Sequence, residues 1–109
     1  MKYIKVAETT EFAATAKKLV NVDGKAILIV SAQNAFYAVD NTCTHMGGSL
    51  HDGNLDGTRV KCPKHGSVFD VTTGKVVHPG TLLFMKVRVR DVRSYPVRVD
   101  GSDVMLGIE

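Results

Sequence analysis

The chain has 109 residues, 44% of them hydrophobic and 23% charged, with a formal net charge of +3, which predicts one globular domain spanning residues 1–109. So small a charge gives no reason to expect nucleic-acid binding, and no run of about 20 apolar residues is present to predict a membrane span. The first residues lack the apolar core and cleavage site of a secretion signal, so we expect a cytoplasmic protein.

The N-terminal part of the chain, up to residue 40, predicts three antiparallel strands. Asp23 with Gly24 and Gln33 with Asn34 are turn pairs that separate segments rich in Val, Ile, Phe and Tyr, as in a hairpin meander. The predicted elements are a short helical turn within residues 8–16 and strands at 17–22, 25–31 and 35–40.

Residues 41–80 differ in composition from the rest of the chain. They hold seven of the ten glycines, all four histidines and both cysteines. Short apolar pieces at 59–60, 68–69 and 76–77 predict strands that brace the loops between them. Because functional residues concentrate on loops held by a rigid scaffold, we place the functional site here.

Strand patterns return after residue 80. Residues 86–90 alternate strictly between basic residues and valine, which predicts a half-buried strand with Lys86, Arg88 and Arg90 on one face. Residues 95–99 and 103–108 predict a closing hairpin around Asp100 and Gly101. The chain is therefore predicted to be all-β, an antiparallel sandwich or small barrel with one elaborated loop region.

Two short blocks carry the metal-binding residues. Cys43 and His45 form the first block, Cys62 and His65 form the second, and residues 46–61 lie between them. Each block offers one thiolate and one imidazole. Two thiolates suit one ferric ion and two neutral imidazoles the other, with bridging sulfides between them, which is the ligand division of a Rieske-type [2Fe–2S] cluster.

A structural zinc ion is the alternative, because two cysteines and two histidines also suit tetrahedral Zn²⁺. Zinc fingers usually place the two cysteines together and the two histidines together, whereas this chain alternates them. A zinc-stabilised interaction module is therefore the competing hypothesis. The other two histidines, His51 and His78, are interpreted as non-ligands.

At these blocks the sequence resembles the Rieske-type ferredoxins over residues 35–109. Residues 43–48 resemble the first cluster box of that family, residues 62–67 the second, and residues 49–57 its spacer. The resemblance implies a Rieske-type antiparallel β-sandwich with a cluster-binding region at about 41–80. It also implies one [2Fe–2S] cluster, with Cys43 and Cys62 on an inner iron and His45 and His65 on an outer, exposed iron.

The resemblance further implies an electron carrier rather than an enzyme. Such a protein would accept one electron from a reductase, expected to be flavin-dependent, and pass it to a terminal oxygenase or another acceptor. A small Rieske subunit of a larger reductase, such as nitrite reductase, is the alternative that keeps the cluster.

Three positions depart from the respiratory members of that family. Gly48 and Lys64 stand where those proteins have a disulfide, and Phe69 stands where the high-potential members have a tyrosine that donates to a ligand sulfur. Losing that donor predicts a reduction potential in the lower part of the Rieske range. Ser67 is expected to oppose this by donating to a bridging sulfide, and Pro79 to lie in a third loop covering the cluster.

Residues 86–98 are strongly basic, with five cations against one acid (Lys86, Arg88, Arg90, Arg93 and Arg98 against Asp91). We hypothesise that this segment is a docking surface for an acidic redox partner, since charge complementarity speeds encounter.

Overall fold

A computed structural model of the chain describes residues 1–44, 47–82, 85–86 and 89–109. Within these ranges the chain forms antiparallel strands and two short 3₁₀ helices, Thr9–Phe12 and Leu50–Asp52. The strands are β1 (Lys2–Glu8), β2 (Lys17–Val22), β3 (Lys25–Ala32), β4 (Ala35–Asp40), β5 (Asn54–Asp56), β6 (Arg59–Lys61), β7 (Val68–Asp70), β8 (Val76–His78), β9 (Thr81–Leu82), β10 (Met85–Lys86), β11 (Ser94–Tyr95), β12 (Val97–Asp100) and β13 (Asp103–Ile108).

The middle layer of the molecule is a four-stranded sheet in the order β11-β4-β3-β2. Its strand β3 is buried on both faces. Ile27 and Ile29 pack into one hydrophobic core, and Leu28 and Val30 pack into the other. Burial on both faces explains why this strand is a continuous apolar run rather than an alternating one.

Two outer sheets supply the rest of these cores. The three-stranded sheet β1-β13-β12 contributes Val104 and Leu106 to the core that holds Ile27 and Ile29. The four-stranded sheet β5-β6-β7-β8 contributes Val60 and Phe69 to the core that holds Leu28. The candidate site lies on the loops of this second outer sheet, and its core is continuous with the middle layer.

The predicted N-terminal meander is confirmed, as is the helical turn before it. Asp23 and Gly24 have φ of 51° and 80°, and Gln33 and Asn34 have φ of 52° and 64°. Each pair joins strands whose flanking residues face each other directly. Two consecutive residues with positive φ are the hairpin turn whose twist matches that of the strands.

The terminal strands differ from the prediction in two ways. Strand β1, paired with β13, was not predicted. The strand predicted at 95–99 is divided at Pro96, so that Tyr95 pairs with β4 and Val97 begins the pairing with β13. Proline has no N–H to donate to a ladder, which allows the chain to leave one sheet for another at this residue.

The prediction of a strand at 86–90 is wrong for residues 89 and 90. Lys86 ends the short strand β10, whereas Val89 and Arg90 belong to no strand. Val87 and Arg88 lie outside the described residues, so the predicted basic face is not established. Across the part of the chain that is described, no helix is long and apolar enough to cross a membrane.

Candidate metal centre

The first box follows β4 and closes on itself. The Cys43 N–H donates to the carbonyl of Gly48 at 2.7 Å, and Thr42 forms an isolated antiparallel bridge with Ser49. Gly47 has φ of 68°, a conformation that glycine adopts without strain. The closure buries Cys43 to 2% exposure at the base of the loop. His45 of this box lies outside the described residues.

The second box joins β6 to β7 with the same closure. The Cys62 N–H donates to the carbonyl of Ser67 at 2.7 Å, and the Gly66 N–H donates back to the carbonyl of Cys62 at 3.2 Å. Cys62 is 1% exposed, whereas His65 is half-buried. In both boxes the cysteine amide therefore binds the carbonyl of the residue that ends the box, so the two loops share one backbone design.

The two loops lie against each other. A Cβ placed on Gly48 would stand 2.8 Å from Sγ of Cys62 and 3.6 Å from Cβ of Lys64. Positions 48 and 64 are thus at a separation typical of a disulfide, about 3.5–4.5 Å between Cβ atoms. This proximity fits the resemblance, which places the bridge of the respiratory proteins at these two positions.

The donor set at the boxes fits an iron–sulfur cluster. Both cysteines lie in the described part of the chain, neither forms a disulfide, and both belong to one buried core that includes Phe69 and Leu50. Buried thiols beside a half-buried imidazole suit a cluster shielded on its sulfur-ligated side. The described residues alone form no group of three or more metal-binding side chains, and His45 is not among them.

Asn41 holds the first box from inside the protein, and nothing in the sequence pattern predicted this role. It is 4% exposed. Its Nδ2 donates to Oγ of Ser49 at 2.9 Å, and its Oδ1 accepts from the His51 N–H at 2.8 Å. A buried amide with both ends satisfied fixes the return of the loop into the Leu50–Asp52 helix.

Lys17 ties the same spacer to the middle sheet. Its Nζ donates to the carbonyl of His51 at 2.8 Å and also to the carbonyl of Gly53. Nothing in the sequence marks this lysine, because its partners are backbone atoms that lie far from it along the chain.

A third loop packs on the second box. The Ser67 hydroxyl, in a residue that is 1% exposed, donates to the carbonyl of Pro79 at 2.8 Å. A hydroxyl has one hydrogen, and in this contact it is donated to Pro79; the expectation that Ser67 donates to a bridging sulfide stays a prediction. Pro79 and Gly80 lie against the second box, as a third loop should, and their cover over the cluster stays a prediction.

The two remaining histidines make other contacts. His51 Nδ1 stands 3.8 Å from a carboxylate oxygen of Asp52, and His78 Nδ1 accepts from the Gly80 N–H at 3.0 Å. These contacts agree with their interpretation as non-ligands, which stays a prediction.

Two cations of the hypothesised basic segment, Arg93 and Arg98, make separate contacts on different sheets, and the docking role of residues 86–98 stays a prediction. Arg93 stacks on the ring of Tyr95 at 4.9 Å, and Arg98 stacks on Tyr3 at 4.6 Å while pairing with Asp100. Arg93 precedes β11 of the middle sheet, whereas Arg98 lies on β12 of the three-stranded sheet.

Two closed cysteine loops packed at the end of a layered β fold define a Rieske-type domain, and the family model for the Rieske [2Fe-2S] domain matches residues 2–96. The chain belongs to this family and carries one [2Fe–2S] cluster, which decides against the zinc alternative. It is an electron carrier rather than an enzyme.

Its relatives are ferredoxins of oxygenase systems. The chain is 37% identical over 90 residues, 83% of this chain and 80% of the relative, to the ferredoxin component of naphthalene 1,2-dioxygenase/salicylate 5-hydroxylase systems of a Ralstonia species. It is similar in structure to the ferredoxin of carbazole 1,9a-dioxygenase from Nocardioides aromaticivorans IC177, at TM-score 0.82 and 28% identity over 100% of both chains. It also resembles a chain in a complex of reduced oxygenase and oxidised ferredoxin of carbazole 1,9a-dioxygenase, at TM-score 0.77 and 28% identity, over 95% of this chain and 91% of that one.

Proposed function

We propose that this chain delivers single electrons to a terminal oxygenase, with Cys43, His45, Cys62 and His65 holding its cluster. The observation that carries the ligand assignment is the pair of identically closed loops that place Cys43 and Cys62 in one core. The names of its relatives support an oxygenase as acceptor. A cytoplasmic location and a flavin-dependent reductase as electron donor complete the proposal.

The fold supports this role because it buries the two cysteines and leaves His65 partly exposed. When bound, the cluster supplies a one-electron redox centre whose potential is set by its ligands. Cys43 and Cys62 are at most 2% exposed, so their sulfurs are kept from water and from oxidants. His65 lies in the same loop as Cys62 and is partly exposed, which gives a partner access to the histidine side of the site.

The first test is analysis of the purified protein and of ligand variants. We expect two irons and two acid-labile sulfides per chain, with a Rieske-type EPR signal after reduction. Cys43→Ala and Cys62→Ala should lose both iron and colour, since each removes a thiolate for which the chain has no substitute. His51→Ala and His78→Ala are matched controls that should keep the cluster. A colourless protein with one zinc ion would refute the proposal.

A further inference from the structure

The outward face of the β5–β8 sheet forms a groove beside the second box. It encloses about 540 Å³ and is open to solvent. The strand register explains its lining, because Lys61 pairs with Val68 and Val68 pairs with His78, one row on a single face. The alternate residues Val60 and Phe69 point into the core. The groove is lined by Arg59, Lys61, His65, Val68, Val77 and His78, with two glycines.

The groove carries positive charge, and none of its described lining residues is a carboxylate. Arg59 and Lys61 are exposed, and within the described residues neither forms a salt bridge. Asp56 and Asp70 lie opposite Arg59 on the neighbouring strands, and neither of these described carboxylates forms a salt bridge with it. One oxygen of Asp70 accepts from the N–H and the hydroxyl of Thr72. Three other surface cations, Lys5, Lys18 and Arg98, do form salt bridges with neighbouring carboxylates.

The cations of the groove lie close to His65, the proposed surface ligand of the cluster. The stem of Lys61 runs along the second box, where its Cε is 3.4 Å from the position of a Cβ on Gly66, the residue after His65. Val77 is 41% exposed beside them. A surface that combines unpaired cations with an exposed apolar side chain suits a protein partner better than a small inorganic anion.

We propose that this basic groove receives aspartate or glutamate side chains of the electron acceptor and seats the acceptor against His65. This inference rests on the proposed function and names the chemistry of the partner surface. Arg59 and Lys61 provide the attraction, and Val68 and Val77 provide the apolar contact. This proposal places the docking surface on the β5–β8 sheet, and the separate hypothesis for residues 86–98 stays a prediction.

The test uses the holoprotein with two variants of equal charge change. Arg59→Gln/Lys61→Gln neutralises the groove, and Lys2→Gln/Lys25→Gln neutralises two exposed lysines outside it. Each reduced protein is oxidised in a stopped-flow instrument by ferricyanide, an anion, and by tris(phenanthroline)cobalt(III), a cation. The ferricyanide reaction is repeated with a short polyglutamate peptide at low ionic strength. The midpoint potential of every variant is measured so that rates are compared at equal driving force.

We expect the groove variant to react about fivefold more slowly than the wild type with ferricyanide, because local charge changes encounter rates by at least this much. Its reaction with the cationic cobalt complex should not be slowed. The glutamate peptide should slow ferricyanide oxidation of the wild type and of the control, and this inhibition should vanish in the groove variant. An unchanged ferricyanide rate, or inhibition that persists in the groove variant, would overturn the docking proposal. A wild-type protein without cluster absorption would instead refute the proposed function.

Discussion

The hydroxyl of Ser67 has a single hydrogen, which forms a hydrogen bond with the third loop. The side chain is buried beside the second box, and its hydroxyl donates to Pro79. A donor to sulfur would stabilise the reduced state and raise the potential. While Ser67 donates its hydrogen to the third loop, that hydrogen does not oppose the low potential predicted from the missing hydroxyl of Phe69.

The role of Ser67 is tested by Ser67→Ala. We expect a loss of about 1–2 kcal/mol of stability, because the Pro79 carbonyl is left without its donor, and a fall in the apparent midpoint of thermal unfolding. The reduction potential should stay the same in a redox titration. A clear fall in the potential would show that the hydroxyl serves a cluster sulfur.

Tyr95 adds a side-chain hydrogen bond between β11 and its neighbour β4 in the middle sheet. The residue is 8% exposed, and its OH donates to a carboxylate oxygen of Asp40 at 2.5 Å. Burial, followed by this hydrogen bond, raises the pKa of Tyr95 to about 12 from the ordinary 10.0. The folded protein therefore holds the phenol proton more tightly than the unfolded chain does.

This raised pKa predicts a stability change at alkaline pH. The stabilisation is fully present below about pH 10 and is lost as the pH rises towards 12, because only the folded state still binds the proton in that window. Tyr95→Phe should lower stability at pH 7 by about 1.5–3 kcal/mol, the usual contribution of a hydrogen bond to a charged group. In circular dichroism melts we expect the stability of the wild type to decline above pH 10 and that of Tyr95→Phe to decline less. An equal decline in both proteins would assign it to another group.

At the scale of elements, the third loop depends on a glycine at its contact with the second box. Gly80 has φ of 80°, and a Cβ there would stand 2.5 Å from the His65 carbonyl oxygen and 2.8 Å from the Ser67 nitrogen. Gly24 has the same φ of 80° in the β2–β3 hairpin but nothing within 4 Å of its Cβ position. Substituting alanine at each position therefore distinguishes two effects. At Gly24 alanine introduces only backbone strain, whereas at Gly80 it also introduces a steric clash.

Gly24→Ala should cost about 1–2 kcal/mol, the penalty of a left-handed backbone with a side chain. Gly80→Ala should cost more, because the third loop must also move away from the box. We expect faster decay of the visible absorbance at room temperature in Gly80→Ala and a wild-type rate in Gly24→Ala. Equal decay in the two variants would mean that the third loop does not protect the cluster.

The elements that the sequence predicted well are those whose determinants are local. Strands β2 to β4 were predicted because apolar runs and turn pairs such as Asp23 and Gly24 lie close together in the chain. Strand β1 was missed because its pairing partner β13 is at the other end of the sequence. The cysteines were found because their chemistry belongs to the side chain itself. Asn41 and Lys17 were not, because their roles arise only when distant backbone atoms are brought beside them.

At the scale of the whole molecule, β3 lies between two hydrophobic cores, of which only one contains the two cysteines. Leu28 is fully buried in the core that contains Cys43 and Cys62, whereas Ile29 is fully buried in the core beneath the three-stranded sheet. Adjacent residues of one strand thus support the candidate site and the opposite side of the fold. We therefore predict that a cavity in the core destabilises the cluster only when it lies on the face of β3 that packs with Cys43 and Cys62.

Leu28→Ala and Ile29→Ala test this division with matched losses of buried volume. Each should destabilise the fold by about 2–5 kcal/mol through the transfer and cavity terms, so both should lower the apparent midpoint of thermal unfolding to a similar extent. At room temperature, below both transitions, only Leu28→Ala should lose its visible absorbance faster than the wild type, because its cavity opens in the core that contains the buried cysteines. Equal rates of cluster loss would mean that the two cores respond as one unit, and that the cluster reports global stability rather than the packing beneath its own loops.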